Sequence, residues 1–465
     1  MAVEAKKLGL WDSVRFLVTV VVPQLLRGSL APSRFWLPIL VRLNSGQWSA
    51  ATINAFRRKY KCDRLWVHFV IQRTLLVLDG EGMAAVLNSD ANQADPRLKA
   101  KSLRKLAPES VLISSGVNWR ARRDFNEEVL DTPRRRHRHA DAFIDVVFSE
   151  VDRLLDGCPE ASLDWRDFRA LARRISQQVL LGSECLRPEL STEVDHLVDR
   201  ANWFFLPVCI LHPGYLASFY GKIRKALQDR NALSRCLLRQ SAEQYPQPPE
   251  ADRVAVEDQV AFWVFVIRDA LELHVTRTLA LIAAHPQIQS RIRRDVAGAS
   301  GNDLREAARL EFVECCVREQ LRLWTPIPVL LRRVTDPFRL PDDDIDLVKG
   351  EQVMLYPGYY HRDPQVFGHL ADQFCPEHAG AHLPPTYYFS DGRQRCAGQN
   401  LALLLVKFTL GALLAKYRFD LDGPKLDASC IPVLYDHFHV RFRATGEAAV
   451  HANQGARGAR RTCHA

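Results

Sequence analysis

The chain has 465 residues, of which 47% are apolar and 25% are charged, and its formal net charge at pH 7 is +9. These proportions are ordinary for a globular protein, and the length allows one large domain or several small ones. Residues 16–26 are apolar, but the stretch is short and interrupted by Pro23, which excludes a membrane span there. We find no signal peptide with a clear cleavage site.

Eleven cysteines are scattered without a C-x-x-C pair, which argues against a disulfide framework or a zinc site and indicates reduced thiols in a cytoplasm. Basic residues cluster at positions 134–139 and in the tail, at Arg457, Arg460 and Arg461. We interpret these clusters as solvated charge or as a docking surface for an acidic partner. Nucleic-acid binding is the weakest interpretation, because the clusters lack interleaved aromatic residues and no binding motif accompanies them.

Residues 1–47 form an apolar segment that is punctuated by Pro23, Pro32 and Pro38. Its aromatic side chains, Trp11 among them, either pack against the rest of the protein or lie on a membrane surface. We favour packing, because basic and apolar residues are not cleanly segregated. Any membrane contact is therefore expected to be peripheral.

The next part of the chain predicts a small sheet between two helices. Residues 50–60 indicate a short helix, and residues 65–69 and 74–78 are rich in β-favouring side chains and predict a hairpin. Residues 80–87 again indicate a helix. The following stretch, 89–116, is polar and is predicted to be irregular.

A long helical middle follows, with few strand signals. A helix begins at Gly116, and helical patterns recur at 141–155, 165–181, 189–205, 221–240, 254–284, 287–296 and 306–324. Strand patterns return at 338–340 and 352–356, residues 431–435 and 437–442 predict a terminal hairpin, and 446–465 are expected to be disordered. The chain shows no internal repeats or inter-domain linkers.

One cysteine lies in a glycine-bracketed loop. Residues 389–398 read Phe-Ser-Asp-Gly-Arg-Gln-Arg-Cys-Ala-Gly, and the apolar run 401–414 that follows predicts a helix. A thiol just before a helix N-terminus is in a positive field that favours the thiolate. Gly392 and Gly398 allow a tight turn and leave one side of the loop open to a flat partner. Such a thiolate suits axial ligation of haem iron, whereas the alternative is a buried structural cysteine beside a helix.

This loop resembles the signature of the cytochrome P450 family, in which Phe, Gly, Cys and Gly keep a fixed spacing. Phe389, Gly392, Cys396 and Gly398 match those positions. The resemblance extends over residues 48–443 and implies one mainly α-helical catalytic domain with small β-sheets (α+β). In that fold the haem lies between the long central helix and the cysteine loop. Residues 1–47 become an N-terminal segment, residues 444–465 a basic disordered tail, and residues 89–116 a mobile loop over the substrate pocket.

The resemblance also implies which residues hold the cofactor, haem b (iron protoporphyrin IX). Cys396 corresponds to the iron ligand. Trp119 and Arg123 are four residues apart on one helical face, where family members contact a haem propionate. Either Arg332 or Arg333 corresponds to a further propionate ligand, and the sequence does not distinguish them.

The remaining landmarks match less closely. Glu319 and Arg322 correspond to the family's buried structural pair, although this spacing alone is common in surface salt bridges. The family usually adds an Arg to that pair where this chain has His378, which we expect to substitute. Ser390 replaces a frequent Gly, and Gln394 replaces the Arg or His that pairs with a propionate.

The central helix departs from the family's oxygen-activating pattern, Ala/Gly-Gly-x-Asp/Glu-Thr. Counting back from the turn at His285 places Val266 and Ile267 at the small pair, Asp269 at the acid and Ala270 at the Thr. We predict that Asp269 supplies protons. Arg268 is predicted to bind a substrate carboxylate, as an Arg of this helix does in the family's peroxygenases.

The resemblance implies a haem-thiolate monooxygenase that oxidises an apolar or aromatic small molecule. The pocket character is inferred from six aromatic residues: Trp203, Phe204, Phe205, Phe262, Trp263 and Phe265. No flavin or iron–sulfur motif is present, so a separate reductase with a ferredoxin- or flavodoxin-like carrier, or peroxide, would supply the electrons. The missing hydroxyl at Ala270 leaves a peroxygenase, isomerase or dehydratase open. A haem sensor without turnover and a haem-free basic interaction protein are alternatives from other classes.

Overall fold

The computed structural model describes residues 6–28, 31–69, 72–95, 97–155, 160–182, 213–228, 235–243, 253–296, 305–306, 310–341, 345–378 and 384–446. The fold is mainly α-helical with small β-sheets, as predicted. The helices that precede the central one are α1 (Leu10–Phe16), α2 (Val22–Arg27), α3 (Trp36–Arg42), α4 (Ser45–Tyr60), α5 (Gly80–Asn88), α6 (Arg97–Leu106), α7 (Gly116–Val129), α8 (Ala140–Leu155), α9 (Trp165–Leu181), α10 (Pro213–Gln228) and α11 (Leu237–Glu243).

The central helix is α12 (Val256–Ala284), and it is buried over most of its 29 residues. It packs against α9 and against three later helices. The helices after it are α13 (Pro286–Val296), α14 (Glu311–Leu323), α15 (Pro357–Tyr360), α16 (Pro364–Phe367) and α17 (Gln399–Lys416). Helix α17 is long and apolar enough to cross a bilayer, but 78% of it is buried within the protein, as expected of a core helix.

The predicted helix 189–205 lies outside the described residues. The predicted helix 221–240 is interrupted, since α10 ends at Gln228 and α11 begins at Leu237.

Eleven strands are described: β1 (Lys6–Lys7), β2 (Arg64–Phe69), β3 (Gln72–Val77), β4 (Asn92–Ala94), β5 (Glu160–Asp164), β6 (Leu330–Val334), β7 (Phe338–Arg339), β8 (Asp346–Leu347), β9 (Gln352–Leu355), β10 (Tyr417–Gly423) and β11 (Arg441–Gly446). Six of them form one sheet in the order β1-β2-β3-β9-β6-β4. The predicted hairpin is confirmed, because β2 and β3 pair antiparallel with Trp66 opposite Leu75. At the far edge Ala94 of β4 lies opposite Arg332 of β6.

The prediction that 89–116 is irregular is wrong. Asn92 is buried and donates its side-chain N–H to the carbonyl of Val86 at 2.7 Å, which fixes β4 at the sheet edge. Asp95 then accepts the backbone N–H of Arg97, as helix-capping side chains do. Ala100, Leu103 and Leu106 recur every three residues on the buried face of α6, a helical period that the many basic residues around them obscure: Arg97, Lys99, Lys101, Arg104 and Lys105.

The predicted terminal hairpin is also wrong. Strand β11 pairs with β10 on one side and with β5 on the other. Strands β10 and β5 are far apart from each other in the sequence. Buried Phe442 and Ala444 alternate with exposed Arg441 and Arg443 along β11, so its apolar face closes the core beneath this three-stranded sheet. The strand continues to Gly446, which moves residues 444–446 from the predicted tail into the folded domain.

The N-terminal segment packs with one face and exposes the other. Phe16 and Val21 are fully buried, and the hydroxyl of Thr19 donates to that of Thr52 on α4 at 2.9 Å. The expected packing is therefore confirmed for this face. On the opposite face Trp11 and Val18 are 83% and 58% exposed.

Candidate functional site

The loop at 389–398 folds back on itself before α17 begins. The backbone N–H of Cys396 donates to the carbonyl of Phe389 at 2.9 Å, and that of Arg395 donates to the carbonyl of Gly392 at 3.0 Å. Gly392 has a φ of +63°, and a Cβ there would lie 2.2 Å from the carbonyl oxygen of Leu87. Only glycine fits, because any side chain would collide with this backbone atom.

Cys396 is an exposed residue at the open side of this loop. Desolvation by the protein atoms around its sulfur raises the pKa of the thiol, while the backbone N–H of Gly398 and the charges of Arg123 and Arg395 lower it. The net direction is upward, so the helix N-terminus alone does not secure the thiolate that we predicted from it. A metal ion at the sulfur would favour the thiolate more strongly than these groups do.

Arg332 and Arg333 are distinguished by the alternation of strand β6. Arg332 is 5% exposed and donates to the hydroxyl of Ser390 at 2.7 Å, whereas Arg333 is exposed. Burial lowers the pKa of Arg332 to about 10, and no carboxylate among the described residues pairs with it. A buried guanidinium without a counter-ion is suited to an anionic group of a cofactor. Ser390, a departure from the family pattern, is therefore a positioning partner that sequence analysis missed.

Gln394 fastens the loop to the sheet. Its side-chain oxygen accepts the backbone N–H of Ala94 at 2.6 Å, directly beside Arg332 in the strand register. The position where the family carries a propionate-binding cation is thus occupied by a side chain whose oxygen is engaged with β4.

Trp119 and Arg123 lie in the first turns of α7. Arg123 pairs with Glu127 at 2.5 Å, and it is near enough to Cys396 to lower the pKa of that thiol. The ring of Trp119 faces the guanidinium of Arg393 at 5.6 Å. Both predicted residues are therefore connected to the cysteine loop, one through its charge and the other through a ring contact.

The central helix has one open face. Phe262, Val266 and Ala270 recur every four residues, and none of the three is fully buried, whereas their neighbours Trp263, Phe265 and Leu271 are. Val266 is 44% exposed although it lies in the middle of a core helix. Ile267 on this helix and Phe389 on the cysteine loop pack against the same hydrophobic cluster.

Only part of the predicted aromatic pocket is supported. Trp263 is buried, stacks on Phe125 and donates to Asn126 at 2.7 Å, and Phe265 is buried, so these two are core residues. Phe262 remains on the open face. Trp203, Phe204 and Phe205 lie outside the described residues.

Arg268 and Asp269 form an ion pair with each other. The guanidinium of Arg268 lies 2.8 Å from the carboxylate, and the two side chains are 4% and 25% exposed. An arginine that is engaged in this way is not a free ligand for a substrate carboxylate. Asp269, by contrast, keeps part of its surface on the less buried side of the helix.

Glu272 is a titratable group that sequence analysis did not select. It accepts a hydrogen bond from the indole N–H of Trp165. Burial and the charge of Asp269 raise its pKa to about 7. The signal was present in the sequence, since Glu272 is three residues after Asp269 and therefore on the same side of the helix.

Glu319 and Arg322 form the buried pair that the sequence predicted, with side chains 2% and 1% exposed and oxygen–nitrogen distances of 2.7 and 2.8 Å. Arg322 also donates to four backbone carbonyls, those of His361, Leu370, Ala371 and Gln373. The backbone N–H of Cys375 donates to Glu319 at 3.2 Å. The prediction that His378 joins the pair is wrong, because His378 is exposed and the backbone carbonyls complete the coordination.

The residues present fit a haem. A sulfur stands at the open side of a tight loop, and the central helix presents a partly exposed apolar face. The buried Arg332 contacts Ser390 of that loop and has no carboxylate partner in the described part of the chain. These are the axial ligand, the anion partner and the covering surface that such a cofactor requires.

The model of the family described as cytochrome P450 matches residues 274–430. The chain is 35% identical to cytochrome P450 714C2 of Oryza sativa subsp. japonica over 154 residues, which are 31% of this chain and 29% of that protein. It is 27% identical to cytochrome P450 4c3 of Drosophila melanogaster over 176 residues, 36% of this chain and 32% of the relative. It is 26% identical to cytochrome P450 4V2 of Homo sapiens over 181 residues, 36% and 34% of the two chains.

The chain thus spans about a third of the length of the curated relatives that it matches. The family model covers the stretch that contains the Glu319–Arg322 pair, Arg332 and Cys396. Residues 274–430 are therefore similar to the cytochrome P450 family, whose members bind haem b.

Proposed function

We propose that the chain is a haem-thiolate monooxygenase that oxygenates an apolar or aromatic small molecule. The observation that carries the proposal is the loop in which Cys396 presents its sulfur between Gly392 and Gly398, in a chain that matches the family. When bound, haem b supplies a redox-active iron whose thiolate ligand favours oxygen chemistry.

In this proposal Cys396 is the iron ligand and Arg332 is the main propionate partner. Arg332 supports the role better than Arg333 does, because only Arg332 is buried without a carboxylate partner among the described residues. Trp119 and Arg123 assist from α7. Because the Gln394 oxygen is engaged with Ala94, the propionates depend on the three remaining residues.

The proton for oxygen chemistry comes from the polar residues of α12. Asp269 is the part-exposed acid on the less buried side of the helix, and Arg268 holds its carboxylate in place. A proton donor must lie within hydrogen-bond reach of the reacting atoms or one water away. Glu272, one turn further along the helix, has a pKa of about 7 because of its burial and the charge of Asp269, so it can gain or lose a proton near neutral pH.

A haem-thiolate enzyme that bypasses normal dioxygen activation is the second candidate. Val266 occupies the position of a small residue, and Ala270 offers no hydroxyl. These substitutions favour a peroxygenase, an isomerase or a dehydratase. The Arg268–Asp269 pair weighs against a peroxygenase that anchors a carboxylate on Arg268.

Electrons are proposed to come from a separate reductase with a ferredoxin- or flavodoxin-like carrier. The basic cluster at 134–138 is a weaker docking surface than its sequence suggests, because its arginines pair within the chain. These pairs are Arg134–Asp131, Arg135–Glu314, Arg136–Asp141 and Arg138–Glu128. Arg393 on the cysteine loop also pairs, with Asp90 at 3.2 Å, but Arg395 is exposed there and forms no ion pair among the described residues, so it is better placed to meet an acidic carrier.

Haem ligation is tested by the absorption of the reduced, carbon-monoxide-bound protein. Cys396→Ala should abolish the thiolate-type spectrum, and Cys430→Ala, which removes another exposed cysteine, should leave it unchanged. A thiolate-type spectrum in Cys396→Ala would disprove the assignment. The reaction class is tested by aerobic turnover of a substrate panel with reductase and carrier, compared with turnover under added peroxide. Turnover with peroxide alone would favour the second candidate.

A further inference from the structure

A cleft of about 760 Å³ lies away from the cysteine loop, where three parts of the chain meet. Residues 32–35 form one wall, the junction of β5 and α9 forms the second, and residues 438–441 form the third. Clefts of this volume accommodate small organic molecules. The residues of the cytochrome P450 site that were described above do not line it.

The cleft carries an excess of positive charge. Arg34, Arg166 and Arg441 line it, and none of them forms an ion pair within the described part of the chain. Arg441 lies opposite Asp164 in the strand register, so its backbone is held beside the N-terminus of α9. The one carboxylate in the lining, Asp164, accepts the backbone N–H of Arg166 at 2.7 Å as a helix cap. That carboxylate is thus already engaged, and its single charge does not balance three guanidinium groups.

The same cleft has an aromatic lining. Phe35 is 58% exposed, and Phe438 is half-buried with its ring 5.2 Å from that of Trp165. The guanidinium of Arg34 lies 4.5 Å from the centre of the Trp165 ring, which fixes this cation above an aromatic surface. A ligand can therefore meet apolar ring surface and guanidinium groups at the same time.

We propose that this cleft binds an aromatic anion, a planar apolar molecule that carries a carboxylate or a phosphate. The planar body contacts Phe35 and Phe438, and the anionic group receives hydrogen bonds from Arg34 and Arg441. Guanidinium groups suit both carboxylate and phosphate because they donate two parallel hydrogen bonds. Burial of the ring and pairing of the charge together give the cleft its specificity, since either feature alone is common on protein surfaces.

The test uses the full-length, haem-loaded protein and isothermal titration calorimetry with 2-naphthoate and 2-naphthyl phosphate as probes. Saturating imidazole occupies the haem iron throughout, so that binding beside the iron is blocked. We expect one equivalent of at least one probe to bind under these conditions. The neutral 2-naphthamide should bind about tenfold more weakly or worse, because it lacks the charge-assisted hydrogen bonds.

Arg34→Gln and Arg441→Gln should each weaken binding by about tenfold, and the double variant by more. The matched control is Arg73→Gln, which removes an exposed arginine that lies 3.9 Å above the ring of Trp66 in the six-stranded sheet. This control should bind as the unaltered protein does. Circular dichroism of each variant confirms that the fold is retained.

Three results would overturn the proposal. The first is an absence of binding, or binding that imidazole abolishes, since the probe would then occupy the haem pocket. The second is equal affinity of the unaltered protein and the two arginine variants. The third is equal affinity for naphthoate and naphthamide, which would remove the anion from the ligand class. None of these results bears on thiolate ligation, which is measured separately by the carbon monoxide spectrum.

Discussion

Two arginine–carboxylate pairs on two helices of this protein have similar chemistry and different surroundings. Glu319 and Arg322 on α14 are almost inaccessible, and backbone carbonyls accept from the guanidinium. Arg268 and Asp269 on α12 are equally close, but the carboxylate is 25% exposed. The closed pair has no room for a reacting molecule, whereas the open pair can exchange protons with one. Accessibility of the acid, not the ion pair itself, separates a structural role from a chemical one.

The largest expected effect is on the closed pair. Glu319→Ala leaves Arg322 buried without its carboxylate, which should cost roughly 3–5 kcal/mol of folding free energy. We expect the variant to lose haem or fail to fold, as measured by urea unfolding and by haem content after purification. Asp269→Ala is the matched change in the open pair; it also leaves a buried guanidinium, but the site of the part-exposed carboxylate is open to water, so this change should be less destabilising. A stable, haem-loaded Glu319→Ala protein would contradict the structural role that we assign to the closed pair.

A second prediction concerns Glu272 on α12, the helix of the open pair, and the dependence of the protein's stability on pH. Its folded pKa of about 7 lies above the ordinary value of 4.5, so its stabilising contribution is complete below pH 4.5 and is lost as pH rises through 7. Glu272→Gln removes this loss and can still accept the hydrogen bond from Trp165. At pH 8 the variant should be more stable than the unaltered protein by about 3 kcal/mol.

The measurement for Glu272 is urea unfolding between pH 5 and pH 8. The advantage of Glu272→Gln should shrink as the pH falls toward 5. Glu257→Gln, on the first turn of the same helix, is the control and should show no such trend. A difference that is independent of pH would mean that Glu272 does not titrate in this range.

Arg332 is a third case, a buried arginine without any carboxylate among the described residues. Arg332→Gln should weaken haem retention by roughly ten- to a hundredfold, in line with a charge-assisted hydrogen bond of 1.5–3 kcal/mol. The neighbouring Arg333→Gln is the matched control, since Arg333 is exposed on the same strand. Haem transfer to an acceptor protein measures the retention. Equal loss from both variants would contradict the assignment.

The smallest expected effect on stability belongs to the open acid. Asp269→Asn keeps the shape of the side chain and removes the exchangeable proton, so reductase-driven turnover should fall about tenfold or more while substrate affinity changes little. Spectral titration gives the affinity, and product formed per enzyme per unit time gives the rate. Arg268→Ala should change the affinity for an anionic substrate little, because Arg268 is already paired with Asp269. A full reductase-driven rate in Asp269→Asn would remove the proton donor from the oxygenase proposal.

The parts of the fold that the sequence predicted are those fixed by nearby residues. The β2–β3 hairpin, the central helix and the glycine-bracketed turn before α17 each depend on contacts within a short stretch. One partner of β11, the strand β5, is hundreds of residues away, and no local pattern selects it over a hairpin with the preceding residues. Strand pairing of this kind is decided by the complete core.

The residues of the candidate site fall into the same two groups, those fixed by nearby residues and those fixed by distant parts of the chain. The spacing of Glu319 and Arg322 predicted their pair, because three residues on a helix bring two side chains together. His378 was assigned by position in a family pattern, and the backbone carbonyls around Arg322 had no sequence signal. Strand alternation makes Arg332 and Arg333 face opposite sides, but only the register with β4 shows which side meets the loop.

The attachment of the cysteine loop to the sheet has a consequence for motion. Ser390 is held by Arg332 of β6 and Gln394 by Ala94 of β4, so two adjacent strands fix the loop at two positions before the cysteine. The loop and this sheet edge should open as one cooperative unit, and the backbone amides of Arg395 and Cys396 should exchange with deuterium at the rate of β6. Any breathing that admits a substrate must therefore hinge elsewhere in the molecule, leaving the sulfur stationary while the opposite wall moves.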